Sequence, residues 1–208
     1  MVRVKICGIT NLKDAISAIE YGADEIGFNF FPMSKRSISP KEARKIVNML
    51  PSNIQKVGVF VNAPIHFISD QISFVGLDSI QLHGDESSNY LAILRQKTDK
   101  KIIRAIRIAS NTKLTSIICS EADYVLLDTA STGSYGGSGK SFDWAIADRA
   151  TELFPYLYLA GGLTTENVVR AIRTVRPYAV DVASGVESSP GMKDTEKMKT
   201  FIQKAKNA

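Results

Sequence analysis

The sequence predicts an α/β fold, a (β/α)8 barrel built as one domain over residues 1–208. Three observations predict it. Eight short apolar or alternating stretches read as strands, and helical patterns separate them, which implies a parallel sheet. Eight such units closing on themselves make a barrel. The length of 208 residues lies at the low end for that barrel, and no linker or composition shift marks a second domain.

The first strand sets the frame. Val2, Val4 and Ile6 alternate with Arg3, Lys5 and Cys7, a period of two. Cys7 sits at the strand's C-terminal tip, before Gly8, and in such barrels that tip is where chemistry occurs. Asn11 then caps a helix carrying Leu12, Ala15, Ile16, Ala18 and Ile19, which stops at Gly22. Residues 23–30 read as the second strand, followed by a loop with Pro32, Ser34, Lys35 and Arg36. Ser39-Pro40 opens the next helix, with proline at its first position.

Residues 56–61 form the third strand and 64–74 a helix. The fourth strand, 77–83, ends at Gly84, and Asp85 or Glu86 begins the following helix. The fifth strand spans 101–108, a short helix about 112–118, and the sixth strand 123–128. A Gly/Ser-rich loop occupies 129–140, long enough to be functional in a compact domain. A helix at 142–150 leads to the seventh strand, 156–160, which ends at Gly161-Gly162. Thr164 or Thr165 caps the next helix. The eighth strand, 178–182, ends at Ala183-Ser184-Gly185, and 194–206 is the closing helix.

Composition narrows the class. Hydrophobic residues make up 44% and charged residues 23%, the balance of a soluble globular protein. No apolar run is long enough for a membrane span. The first strand begins so early that it leaves no room for a signal peptide. Two cysteines, Cys7 and Cys119, have neither metal-ligand nor disulfide-framework spacing, which fits a reducing cytoplasm. The net charge of +5 fits a solvated basic surface or a field that attracts small anions. Nucleic-acid binding is not expected, because the basic residues are scattered and aromatics do not interleave with them.

Several residues can carry chemistry. The turns at Gly161-Gly162 and Ser184-Gly185 follow strands seven and eight, the loops where such barrels often hold phosphate. Glycines let backbone amides approach an anion; the alternative is simple tight turning. Cys7 is either packing or a base, depending on whether its surroundings favour thiolate. Asp128, at the tip of strand six, is either a loop cap or a general acid. Arg36 is a solvated loop charge or a clamp on a carboxylate. Strand parity turns Lys5 inward beside Cys7, and strands one and eight are neighbours. Lys5 and Asp181 are therefore expected on adjoining inward positions, each compensating the other's charge. Gln81 and His83 lie near the top of strand four, where His83 is structural or a proton carrier. No cluster with metal-ligand character is apparent at the strand tips.

The runs 5–10, 57–62, 81–84, 136–144, 159–163 and 181–187, in this order along the chain, resemble the N-(5′-phosphoribosyl)anthranilate isomerase family of tryptophan biosynthesis. The resemblance implies an Amadori rearrangement of N-(5-phosphoribosyl)anthranilate to 1-(o-carboxyphenylamino)-1-deoxyribulose 5-phosphate. It carries the family's general base onto Cys7 and its acid onto Asp128. It puts the anthranilate carboxylate on Arg36, the phosphate at Gly161-Gly162 and Ser184-Gly185, and the ribose near Asp181. It implies no metal and no organic cofactor, a phosphorylated small-molecule substrate, a cytoplasmic location, and a monomer or homodimer. Two other readings remain: another sugar-phosphate barrel enzyme, such as an epimerase or lyase, and a non-catalytic phosphate-ligand binder.

Overall fold

The computed structural model describes residues 1–109, 121–129 and 143–208. The expected helix at 112–118, Cys119, and the Gly/Ser-rich loop beyond Thr129 lie outside the described residues.

Eight parallel strands close into a barrel in sequential order. They are β1 (Arg3–Cys7), β2 (Glu25–Asn29), β3 (Gln55–Phe60), β4 (Ser79–Leu82), β5 (Lys101–Ile108), β6 (Tyr124–Thr129), β7 (Leu157–Leu159) and β8 (Ala179–Val182). β8 pairs back onto β1, with Lys5 opposite Asp181, which closes the ring. The described helices are α1 (Leu12–Glu20), α2 (Pro40–Val47), α3 (Ile65–Gln71), α4 (Ser88–Arg95), α5 (Trp144–Leu153), α6 (Val168–Val175) and α7 (Thr195–Lys206). Among the described residues no helix is long and apolar enough to cross a membrane.

Local chemistry explains most boundaries. Asn11 Oδ1 accepts from the Asp14 amide and caps α1, and Ser39 Oγ does the same for Glu42 at α2, whose first residue is Pro40. Gly22 follows α1 at φ +99°, a conformation that costs glycine little.

Two expected caps are corrected. α4 begins after Ser87, whose Oγ accepts from the Tyr90 amide, and not at Asp85 or Glu86. The Glu86 carboxylate is engaged elsewhere, accepting from the amides of Asn62 and Gly84 across the strand tips. α6 begins after Asn167, and not at Thr164 or Thr165. Thr164 and Asn167 instead close a preceding turn, with Asn167 Oδ1 accepting from the Thr164 amide and Thr164 Oγ1 from the Glu166 amide. The helix expected at 64–74 also changes register, continuing from α3 as a π-helical turn over Ile72–Gly76.

One addition to the basic barrel follows β8. A 3-10 turn, Ser184–Val186, leads into a small antiparallel hairpin of β9 (Glu187–Ser189) and β10 (Met192–Lys193). Asp194 then caps α7 through bonds from the amides of Glu196 and Lys197.

Most of the core lies between the outward face of the strands and the helices, including Ile6, Ile26, Ile80, Leu127 and Phe201, all fully buried. A smaller apolar cluster fills the barrel's interior: Val57, Ile103, Leu126, Tyr158, Ala160 and Ala179. Tyr124 and Tyr178 pack against it, their rings meeting that of Tyr158 and each other. There Glu25 accepts from the Tyr158 hydroxyl at 2.8 Å and from Arg3 Nε at 3.1 Å.

Candidate active site

Inward parity along the strands places a polar layer above that apolar cluster. β1 contributes Lys5 and Cys7, β8 contributes Asp181, β4 contributes Gln81 with His83 just past its end, and β6 contributes Asp128. All six are buried or nearly so. A cavity of about 510 Å³ opens at the C-terminal ends of the strands. Its walls include ten residues singled out in the sequence: Cys7, Arg36, Gln81, His83, Asp128, Gly161, Gly162, Asp181, Ser184 and Gly185.

The polar layer is one connected network. Lys5 Nζ donates to Asp181 Oδ1 at 2.8 Å and to Gln81 Oε1 at 2.7 Å. Gln81 Nε2 lies 2.9 Å from His83 Nδ1, and His83 Nε2 lies 3.2 Å from Asp128 Oδ2. Asp128 Oδ1 accepts from the Thr129 amide at 2.8 Å. The expected Lys5–Asp181 pair is thus present, with the Lys5 side chain fully buried.

Burial opposes charge on Lys5, but Asp181 and then Cys7 outweigh it, and the ammonium is held above its ordinary range. For Cys7 burial dominates and pushes the thiol up. The Lys5 charge pulls the other way.

Glycines make room for these groups. A Cβ at Gly27 would lie 2.8 Å from Cys7 Sγ, and one at Gly8 would lie 2.6 Å from Arg36 Cδ. Gly161, at φ +80°, passes so close to β6 that a Cβ would come within 2.4 Å of Thr129 Oγ1 and 3.0 Å of Asp128 Oδ1. Gly185 abuts the loop after β7, where a Cβ would meet the Leu163 carbonyl oxygen at 1.9 Å. The two glycine turns after β7 and β8 are therefore in contact. Three of these glycines set the clearance around a thiol, a guanidinium and a carboxyl, a duty beyond making turns.

Arg36 is not a solvated loop charge. Its Nε and Nη2 donate to Glu187 Oε1 and Oε2 at 2.8 and 2.7 Å, a bidentate pair that holds the guanidinium charge above its usual range. Glu187 also accepts from Lys193 Nζ at 3.0 Å. Lys193, its side chain fully buried, donates onward to the carbonyls of Cys7 at 2.6 Å and Ala183 at 3.2 Å. Burial lowers Lys193, with Glu187 pulling against it. Glu187 is held below the ordinary carboxylate range because Arg36 and Lys193 together overcome its burial.

Sequence reasoning gave Glu187 and Lys193 no role of their own. Both belong to the hairpin after β8, whose strands are too short to leave a periodic signal. Among the described residues no group of three His, Cys, Asp or Glu side chains is arranged to hold a metal ion.

The architecture and the ring of functional groups on its rim define an enzyme-type (β/α)8 barrel with its reactive end at the strand C-termini. Residues 4–204 match the family model of N-(5'phosphoribosyl)anthranilate (PRA) isomerase, and the chain belongs to that family. It is 47% identical to the N-(5'-phosphoribosyl)anthranilate isomerase of Trichlorobacter lovleyi, over 100% of both chains. The crystal structure of phosphoribosyl anthranilate isomerase from Thermotoga maritima superimposes with a TM-score of 0.90 at 46% identity, covering 100% of both chains. A second solved phosphoribosyl anthranilate isomerase is in complex with reduced 1-(o-carboxyphenylamino)-1-deoxyribulose 5-phosphate. It superimposes with a TM-score of 0.87 at 43% identity, again over 100% of both chains.

Proposed function

We propose that the chain isomerises N-(5′-phosphoribosyl)anthranilate to 1-(o-carboxyphenylamino)-1-deoxyribulose 5-phosphate, with Asp128 as general acid and Cys7 as general base. Asp128 gives its proton to the ribose ring oxygen as the C1′–O bond breaks, and the nitrogen lone pair forms an iminium. Cys7, as thiolate, takes the proton from C2′, and the electron pair forms the C1′–C2′ double bond of an enolamine. The enolamine then tautomerises to the ketone. Asp128 has lost one proton and Cys7 has gained one. Each positioned group contributes on the order of 10²–10⁴-fold in rate.

The observation that carries this reading is that Cys7 and Asp128 share one cavity, from strands three steps apart around the ring. A sugar between them is open to acid and base at once. The phosphate is assigned to the amides of the contacting turns at Gly161-Gly162 and Ser184-Gly185. Asp181 is assigned to the ribose hydroxyls. Arg36 is assigned to the anthranilate carboxylate: Glu187 occupies its Nε–Nη2 edge and leaves the Nη1 side for the substrate. Anchors at both ends hold C2′ near the thiolate, which converts binding into orientation.

The test is a fluorescence assay on freshly made phosphoribosylanthranilate. The expected result is loss of the anthranilate signal above the uncatalysed rate, abolished in Cys7→Ala and in Asp128→Ala. An unchanged signal with the wild type overturns the activity. Full turnover by either variant overturns that residue's role.

A further inference from the structure

The polar layer settles where protons sit, because one of its members cannot accept. A lysine ammonium has three donors and no acceptor. The Gln81 atom facing Lys5 at 2.7 Å is therefore its carbonyl oxygen. The Gln81 amide nitrogen then faces His83 Nδ1 at 2.9 Å, and it can only donate. A protonated Nδ1 would set N–H against N–H inside a buried site, so Nδ1 is the bare, accepting nitrogen. The same clash excludes the doubly protonated imidazolium. The ring proton is on Nε2, which lies 3.2 Å from Asp128 Oδ2.

We propose that Lys5 and Gln81 are positioning residues: they fix His83 as its Nε2–H tautomer, so that His83 donates to Asp128 Oδ2 and stabilises the carboxylate left when Asp128 gives up its proton. The proposal rests on Asp128 being the acid, as read above. Asp128 Oδ1 faces Gly161 and accepts from the Thr129 amide. When the proton passes to the ribose ring oxygen, the new carboxylate already has two donors in place, His83 Nε2–H and the Thr129 N–H. Both bonds strengthen as charge develops, so they favour the transition state over the resting acid.

Lys5 also links the two ends of the reaction. Its ammonium is neutralised by Asp181, orients Gln81, and lowers the cost of charge on Cys7 against its burial. The same cation thus acts on the thiol through its charge and reaches the acid through three successive hydrogen bonds, by way of Gln81 and His83.

The experiment reads histidine nitrogens by ¹H–¹⁵N correlation in the substrate-free protein, where the chain has only two histidines, His66 and His83. A His66→Gln variant assigns the signals. The expected wild-type pattern for His83 is a protonated Nε2 and a bare Nδ1. In Gln81→Glu the new carboxylate accepts from both Lys5 and the ring, so Nδ1 becomes protonated. Its kcat falls by about tenfold or more, part of the ~10²–10⁴-fold that a positioned acid supplies, with a smaller change in KM. A wild-type His83 carrying its proton on Nδ1 overturns the proposal, and so does a folded Gln81→Glu protein that keeps Nδ1 bare. The wild-type spectrum decides even where Gln81→Glu does not fold. It needs no turnover, so a correct tautomer in a chain that fails to isomerise phosphoribosylanthranilate indicts the functional reading alone.

Discussion

Replacing Lys5 by methionine removes the ammonium that faces Asp181 and Gln81 while keeping an unbranched side chain of similar length. Asp181 stays buried without that cation, and two responses bound the cost. If it stays ionised, the loss is that of breaking a buried ion pair, about 3–5 kcal/mol. If it takes up a proton, the cost is about 1.4 kcal/mol for each pH unit above an ordinary carboxyl pKa of about 3.9. That is about 4 kcal/mol at pH 7 and about 1.5 kcal/mol at pH 5. The cheaper response governs, so the penalty is about 3–4 kcal/mol at pH 7 and shrinks with acidification.

The sign follows from linkage. A carboxyl protonated inside the fold favours folding at low pH and loses that contribution as pH rises. In the wild type the lysine is the group raised above its ordinary value of 10.5, so the pair's contribution is intact at neutral pH and is lost only as pH climbs past that value. Urea denaturation of wild type and Lys5→Met at pH 5, 6, 7 and 8 measures the difference. Lys5→Met/Asp181→Leu should recover part of the loss, because an apolar pair often replaces a buried ion pair at little cost. A penalty under about 1 kcal/mol that stays flat over this range would refute the claim that the pair is desolvated.

Other perturbations address the rim and the floor. Gly27→Ala drives a methyl to 2.8 Å from Cys7 Sγ; displacing the base by about 1 Å should cost on the order of 10²-fold in kcat with the melting temperature changed little. Glu187→Gln ends the bidentate hold on Arg36, so KM should rise by about tenfold with kcat moved less, read by steady-state kinetics. Because Glu187 is held below the ordinary carboxylate range, its contribution is present above that range and disappears on acidification. The wild type should therefore lose stability in acid that Glu187→Gln does not. In the substrate-free protein burial keeps Cys7 protonated past the ordinary thiol value of 9.0. Its alkylation by iodoacetamide, followed in a Cys119→Ser background, should accelerate only above that pH, and a fast reaction at pH 7 contradicts the burial argument. Tyr158→Phe removes one bond to Glu25 and should cost about 1–3 kcal/mol in a denaturant titration with kcat unaltered.

The parts of this architecture legible in the chain were those with a local cause. Period-two alternation over 2–7 made Lys5 and Cys7 inward neighbours, and ring closure then brought Asp181 to Lys5. Asn11, Ser39 and Asp194 marked helix starts because a side-chain oxygen three residues or fewer from a free amide is a local event. What stayed hidden was long-range. Glu86 resembled a helix-starting acid, yet its carboxylate serves amides at Asn62 and Gly84. Arg36 meets Glu187 across 151 positions of sequence. The clearances at Gly27 and Gly161 depend on neighbouring strands, so no turn signal announces them.

The barrel's interior also explains why the rim can be tuned without disturbing the base. Two sets of charges lie inside the strands, and they are linked, because Glu25 is the register partner of Lys5 and helps to hold its charge. At the lower end Arg3 faces Glu25, with the Tyr158 hydroxyl as a third partner. At the upper end Lys5 faces Asp181. Val57, Ile103, Leu126 and Ala179 line the same interior, side chains with no dipole to rearrange. An apolar layer screens poorly, so Lys5 acts on Cys7 and Gln81 with more force than a hydrated lysine could. The same layer would expose the site to any unbalanced charge below, and the Arg3–Glu25–Tyr158 cluster removes that imbalance. Tyr158→Phe leaves both charges of the lower pair in place and so leaves the upper field unchanged. Glu25→Gln does not: it leaves Arg3 uncompensated and removes a charge that supports Lys5, so its effect on turnover should exceed that of Tyr158→Phe.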